Sequence, residues 1–205
     1  MINPYKLNIS NYSSHELILN CIGHNKTVLD LGCNDGYIGL SSNKTNYFYG
    51  LDRSKESISK AKKTYIDAIV YDLNILKRLP WEKKFDVLLF ADVLEHLVDP
   101  EKTLLFFTNK YLKIHGHVIL ALPNIANWQI RLKLMIGKFD YTEIGILDKT
   151  HLHFYTFKTA KELASFANLK IISEFGGSST FGGMIKKLPF LKGLLSNNII
   201  LLCRK

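Results

Sequence analysis

Seven short apolar runs, separated by stretches with helical spacing, decide most of what this chain can fold into. The runs cover residues 27–31, 47–51, 68–71, 85–91, 117–122, 169–175 and 198–203, while residues 37–42, 55–64, 101–112 and 156–168 carry helical patterns. Strands that alternate with helices build a parallel sheet covered on both faces. Asp99-Pro100 marks one helix start, with Asp as N-cap and Pro at the first helical position, and Ser54 plays the same part for the helix before it. No helical crossover separates the last two runs, which predicts that they pair antiparallel at one edge. The expected class is therefore α/β: a doubly wound, seven-stranded, mostly parallel sheet with an antiparallel edge strand. One domain over residues 1–205 suffices, with an N-terminal helical segment over 1–26 and an insertion over 124–155.

Composition narrows the function. With 205 residues, 47% hydrophobic and 22% charged, the chain can bury a full core. No apolar run approaches the roughly 18 to 20 residues that span a bilayer, and the N-terminus lacks the apolar core of a signal peptide. Cys21, Cys33 and Cys203 are odd in number and far apart, which suggests neither a disulfide framework nor a zinc site and fits the cytoplasm. The net charge is +9, but the lysines are scattered, with no run of five basic residues. That favours a solvated surface over a nucleic-acid face.

The stretch "VLDLGCNDGYIGL", Val28 to Leu40, runs from a buried strand through a glycine turn into a helix, as in nucleotide-type cofactor sites. A dinucleotide loop needs G-x-G-x-x-G, yet Asn34 and Tyr37 stand at the second and third glycine positions. A side chain at the second position crowds a pyrophosphate, and Asp35 would repel it. A cofactor without phosphates removes both objections. After Asp30 in the first strand, two further acids follow strand ends: Asp52 closes the second, where a carboxylate can accept hydrogen bonds from both ribose hydroxyls, and Asp72 follows the third. Any one of these acids alone reads as a turn residue; three in order do not.

"VLDLGCNDG" resembles the first motif of the class I, Rossmann-like S-adenosylmethionine-dependent methyltransferases, with Asn34 in place of the usual glycine. Asn is among the few residues that visit left-handed backbone conformations. "LDKTHLHFYT" is similar to a motif of methyltransferases from polysaccharide and cell-surface gene clusters and of quinone-pathway O-methyltransferases. The resemblance implies S-adenosyl-L-methionine as cofactor, held by Asp30, Gly32, Asn34, Gly36, Asp52, Asp72, Leu73 and Asp92. Adenine would meet Asp72 and the Leu73 backbone.

Methyl transfer is an in-line displacement, so an alcohol acceptor needs alignment and removal of its proton. Asp92, Glu95 and His96 stand at i, i+3 and i+4, which on a helix would place them on one face. The expected catalytic set is His96 as general base, Glu95 as its orienter, and His151 from the insertion. A second reading joins these residues, with His151 or His153, around a divalent ion, since D-x-x-E-H plus a distant His resembles the metal site of small-RNA terminal 2′-O-methyltransferases. A third makes them structural, with His151 and His153 in a gating loop.

Insertions above strand ends usually build substrate sites. Here the insertion offers the helix candidate "IANWQIRLKLMIGK" and the aromatics Trp128, Phe139, Tyr141, Phe154 and Tyr155, as an acceptor pocket or as core. "FGGMIKKLPFLKGLL", Phe181 to Leu195, reads as a lid, a peripheral membrane contact or a plain connector. The expected partner is a small-molecule, sugar or lipid-linked acceptor. RNA methylation at a terminal ribose and a non-catalytic cofactor-binding partner subunit are the rivals.

Overall fold

The computed structural model describes residues 12–42 and 44–205. Seven strands form one sheet: β1 (Thr27–Leu31), β2 (Tyr47–Asp52), β3 (Asp67–Val70), β4 (Phe85–Ala91), β5 (Leu112–Pro123), β6 (Lys170–Gly177) and β7 (Asn198–Arg204), in the order β3-β2-β1-β4-β5-β7-β6. β1 to β5 pair in parallel, whereas β7 runs antiparallel to both β5 and β6. The antiparallel pair thus forms one edge region, with β7 one place in from β6.

Helices α1 (Ser14–Ile22), α2 (Tyr37–Ser41) and α3 (Lys55–Ala61) bury Leu17, Ile18, Ile22, Ile38 and Ile58 against one face of the sheet. On the other face α4 (Pro100–Tyr111) and α6 (Phe157–Phe166) bury Leu104, Phe107, Ala160 and Leu163. β1 and β4 are buried almost throughout, as strands covered on both faces must be. Asp99 caps α4 through the Lys102 N–H at 2.9 Å, and Ser54 caps α3 through the Ser57 N–H at 3.2 Å. The expected N-terminal segment is helical only over α1 among the described residues; residues 1–11 lie outside them. No helix among those residues is long and apolar enough to cross a membrane.

Three features depart from the sequence expectation. β5 starts at Leu112, five residues early: Leu112 pairs with Phe85, the register then shifts across exposed Lys113, Ile114 and His115, with His115 at φ 63°, and regular pairing resumes at His117. The 181–195 connector, where the sequence predicts no helical crossover, is helical in part. It folds into α7 (Gly182–Lys187), a 3-10 turn (Pro189–Leu191) and α8 (Lys192–Leu195). Finally, Asp92, Glu95 and His96 do not share a helix face. Asp92 sits at φ 48° and a 3-10 turn covers Leu94–His96, since the chain must reverse sharply between β4 and α4.

Gly32 ends β1 at φ +82°, and a Cβ there would lie 2.6 Å from Val93 Cγ2. Left-handed strain plus overpacking makes Gly32→Ala destabilising by about 2 to 4 kcal/mol. Denaturant unfolding checks this, and an unshifted midpoint would contradict the close packing of the two loops.

Candidate active site

The loop after β1 owes its shape to residues far apart in sequence. Asn34 takes φ 47°, so the side chain standing at a glycine position is accommodated by a conformation that Asn tolerates. Its N–H donates to Asp52 Oδ2 at 2.9 Å, and the Ser54 N–H donates to Asp52 Oδ1 at 2.8 Å. Each Asp52 oxygen therefore holds one backbone donor and keeps lone pairs for a ligand. Asp72 accepts from the Asn74 N–H at 2.9 Å on the neighbouring strand end.

A cavity of about 300 Å³ opens between these loops, lined by Gly32, Asn34, Asp52, Arg53, Asp72, Leu73, Asp92 and His96, among others. Asp30 and Gly36, expected to touch the cofactor, are not among its lining residues. Asp30 is buried and accepts from Tyr65 Oη at 2.6 Å, and burial pushes its carboxyl up to about 7. Tyr65 also accepts from the Gly39 N–H at 3.3 Å. Cβ atoms at Gly36, Gly39 or Gly50 would run into the Tyr65 ring. Asp30 and Gly36 thus shape the loop from behind.

A second cavity, about 530 Å³, adjoins the first and is lined by Glu95, Gln129, Ile130, Lys133, Ile144, Ile146, Leu147 and His151. Asp92, His96 and Asp148 line both, so the two spaces meet at His96. The insertion returns to this junction because the Leu152 and His153 N–H groups both donate to the Glu95 carbonyl, at 2.7 and 3.2 Å.

The orienter of His96 is Thr150, not Glu95. His96 Nδ1 lies 3.0 Å from Thr150 Oγ1 and 3.3 Å from the Thr150 carbonyl, while Thr150 Oγ1 donates to Asp148 Oδ1 at 2.7 Å. With its one hydrogen given to Asp148, the hydroxyl accepts, so Nδ1 carries the proton and Nε2 holds the lone pair. Burial and the neighbouring His151 hold His96 below the usual histidine range, which keeps it neutral. Burial alone would raise the Asp148 carboxyl, but the Thr150 hydroxyl and N–H together hold it below the ordinary range.

Glu95 faces His151 instead, with Oε1 4.0 Å from His151 Nε2. His151 Nδ1 lies 3.1 Å from the Ile146 carbonyl, an acceptor only, so that nitrogen carries the proton. Glu95 is fully buried, and neither carboxylate oxygen has a hydrogen-bond partner among the described residues. Burial, then the Asp92 charge, drives its carboxyl well above the ordinary range. Burial likewise raises Asp92, which accepts from Asn198 Nδ2 at 3.0 Å. One ligand atom from each of Glu95, His96 and His151 falls within 4.8 Å of the others. His153 stacks on Tyr155 outside this group.

None of the five expected aromatics lines either cavity. Tyr155 is in the core, and Phe139 packs edge-on against Tyr141 and Phe154, the latter also touching His151. Sequence reasoning missed Thr150, Asp148 and Asn198. The D-x-T spacing, in which Asp148 also accepts from the Thr150 N–H at 2.8 Å, was the available signal for the first two. Nothing local marks Asn198.

Comparison with known proteins agrees with this architecture. The N-methyltransferase NodS of Bradyrhizobium japonicum, solved with S-adenosyl-L-homocysteine, superposes with TM-score 0.65 at 14% identity, covering 100% of this chain and 93% of that one. A SAM-dependent methyltransferase of Archaeoglobus fulgidus gives 0.62 at 18% identity, covering 94% and 95%. The fold is therefore that of S-adenosylmethionine-dependent methyltransferases. The mitochondrial ubiquinone biosynthesis O-methyltransferase of Candida albicans is 31% identical over 38% of this chain, and the match spans about a quarter, 27%, of that relative. The family model of the methionine biosynthesis protein MetW matches residues 12–185, most of the chain and both cavities' strand-end loops, and the protein belongs to that family.

Proposed function

We propose that this protein is an S-adenosylmethionine-dependent methyltransferase acting on an oxygen of a small-molecule or sugar acceptor. The observation that carries the reading is the meeting of two cavities at His96, whose Nε2 lone pair is left free by the Thr150 contact. The first cavity fits the cofactor. Its lining holds four aspartates, Asp52, Asp72, Asp92 and Asp148, and a single arginine, Arg53, which disfavours a pyrophosphate and suits a sulfonium cation. Bound there, S-adenosylmethionine supplies an electrophilic methyl group. Asp52 accepts from the ribose hydroxyls, Asp72 and Leu73 meet the adenine, and Gly32 lets the backbone approach closely. In the second cavity His96 Nε2 takes the acceptor's proton, and Asp148 stabilises the resulting imidazolium through Thr150. Residues 124–155 supply much of the acceptor side of a single methyltransferase domain. The cysteines, all free, fit a reducing cytoplasmic setting.

Calorimetry should show micromolar binding of S-adenosylmethionine and its demethylated product and none of NAD. Methyl transfer from labelled cofactor should then appear on hydroxyl-bearing acceptors. NAD binding as tightly would overturn the cofactor assignment.

A divalent cation is favoured as a second reading by one observation, the buried Glu95 carboxylate without hydrogen-bond partners beside two imidazole nitrogens. Glu95, His96 and His151 would hold the ion, which would lower the pKa of a bound hydroxyl. If so, chelator abolishes activity and Mg²⁺ or Mn²⁺ restores it; if His96 acts alone, chelator has no effect.

A further inference from the structure

Two segments rise from the carboxyl edge of the sheet beside the acceptor cavity. One is α5 (Trp128–Met135) with the loop that follows; the other is the 181–195 connector. They meet where Trp128 packs edge-on against Phe181 at 6.3 Å. α5 buries only Ile130. Its far end and the connector leave large apolar side chains in solvent: Met135 is 82% exposed, Ile136 69% and Phe190 78%, with Leu132 and Met184 about half exposed, 52% and 46%. Large exposed apolar side chains on two segments that meet at one contact mark a contact surface.

Charge identifies the contact. Residues 128–139 and 181–195 contain Arg131, Lys133, Lys138, Lys186, Lys187 and Lys192 and not one Asp or Glu, while beyond them in the same loop stand Asp140 and Glu143, the latter paired with Lys149. Lys192 is held by Glu174, whereas Lys133, Lys138, Lys186 and Lys187 have no ion pair among the described residues. Protein interfaces are depleted in lysine. Apolar side chains interleaved with unpaired lysines are instead what binds the headgroup layer of an anionic bilayer, the apolar groups entering the acyl boundary and the ammonium groups meeting phosphates.

We propose that this end of the protein docks on an anionic membrane surface, with the acceptor cavity opening beside it. Lys133 belongs to both the surface and the cavity lining. The acceptor class this implies is an amphiphilic or lipid-linked hydroxyl compound, a clause that rests on the methyltransferase reading. The docking itself does not.

Sedimentation with phosphatidylcholine vesicles, with and without phosphatidylglycerol, tests it. Wild-type protein should pellet with the anionic vesicles and be released by high salt. Met135→Asp/Ile136→Asp and, separately, Lys186→Glu/Lys187→Glu should weaken partitioning about tenfold or more. Both variants should keep the wild-type circular dichroism spectrum and cofactor affinity. Absence of wild-type binding, unchanged binding by both variants, or a solution dimer dissolved by Met135→Asp/Ile136→Asp would overturn the proposal. Calorimetry with S-adenosylmethionine on the same samples separates failure of docking from failure of the cofactor reading.

Discussion

His96→Ala is expected to lower turnover about 10²- to 10⁴-fold while leaving cofactor affinity nearly intact, the usual range for deleting a general base. The imidazole touches the junction of both cavities, but Asp52 and Asp72, which would hold the nucleoside, lie on other strand ends. Burial and His151 depress the His96 pKa, so wild-type activity should rise with pH through a value below 6.5, the ordinary histidine pKa. Stability carries the same sign. A histidine depressed in the folded state contributes stability that is present above its unfolded pKa and lost as pH falls. Thr150→Val should lower kcat with little change in KM for the cofactor, and Thr150→Ser should restore it, because the hydroxyl is the group that links the imidazole to Asp148. A folded His96→Ala enzyme with near-normal turnover would eliminate the base; one that loses cofactor affinity in step with activity would make the residue structural.

Asp52→Ala should weaken S-adenosylmethionine binding by about 1.5 to 3 kcal/mol, the scale of lost charge-assisted hydrogen bonds. The carboxylate also holds the Asn34 and Ser54 N–H groups, so its removal frees the cofactor loop as well as losing the ribose contacts. Some loss of thermal stability should accompany the affinity change. Asp72→Ala should have a smaller effect, since Asp72 anchors only its own turn through Asn74. Unchanged affinity in folded Asp52→Ala protein, read by calorimetry, would mean the ribose is bound elsewhere.

The parallel strands and their helix starts were legible, though not the strand order, because β1 and β4 are buried on both faces and are apolar almost throughout, and because Asp99 and Ser54 act through neighbours three residues away. The early start of β5 was hidden, since the pairing of Leu112 with Phe85 is separated from the regular ladder by exposed Lys113 to His115, where the register shifts. The connector's short helices were hidden too. Glycine and proline interrupt their pattern, and α7 buries only Gly182 and Ile185.

By itself the sequence determined which groups could do chemistry: the strand-end acids, the tolerance of Asn34 for a left-handed turn, and the Glu95–His96 pair. Those depend on residue type and short spacing. Which of these groups lie together was decided only in three dimensions. Thr150 reaches His96 across 54 positions, Asn198 reaches Asp92 across 106, and Glu95 turns from its sequence neighbour to His151. The reason is that hydrogen-bond partnership depends on direction and a separation of about 3 Å. Here the 3-10 turn, the returning insertion and the antiparallel last strand set both, and none of them is encoded at the site itself.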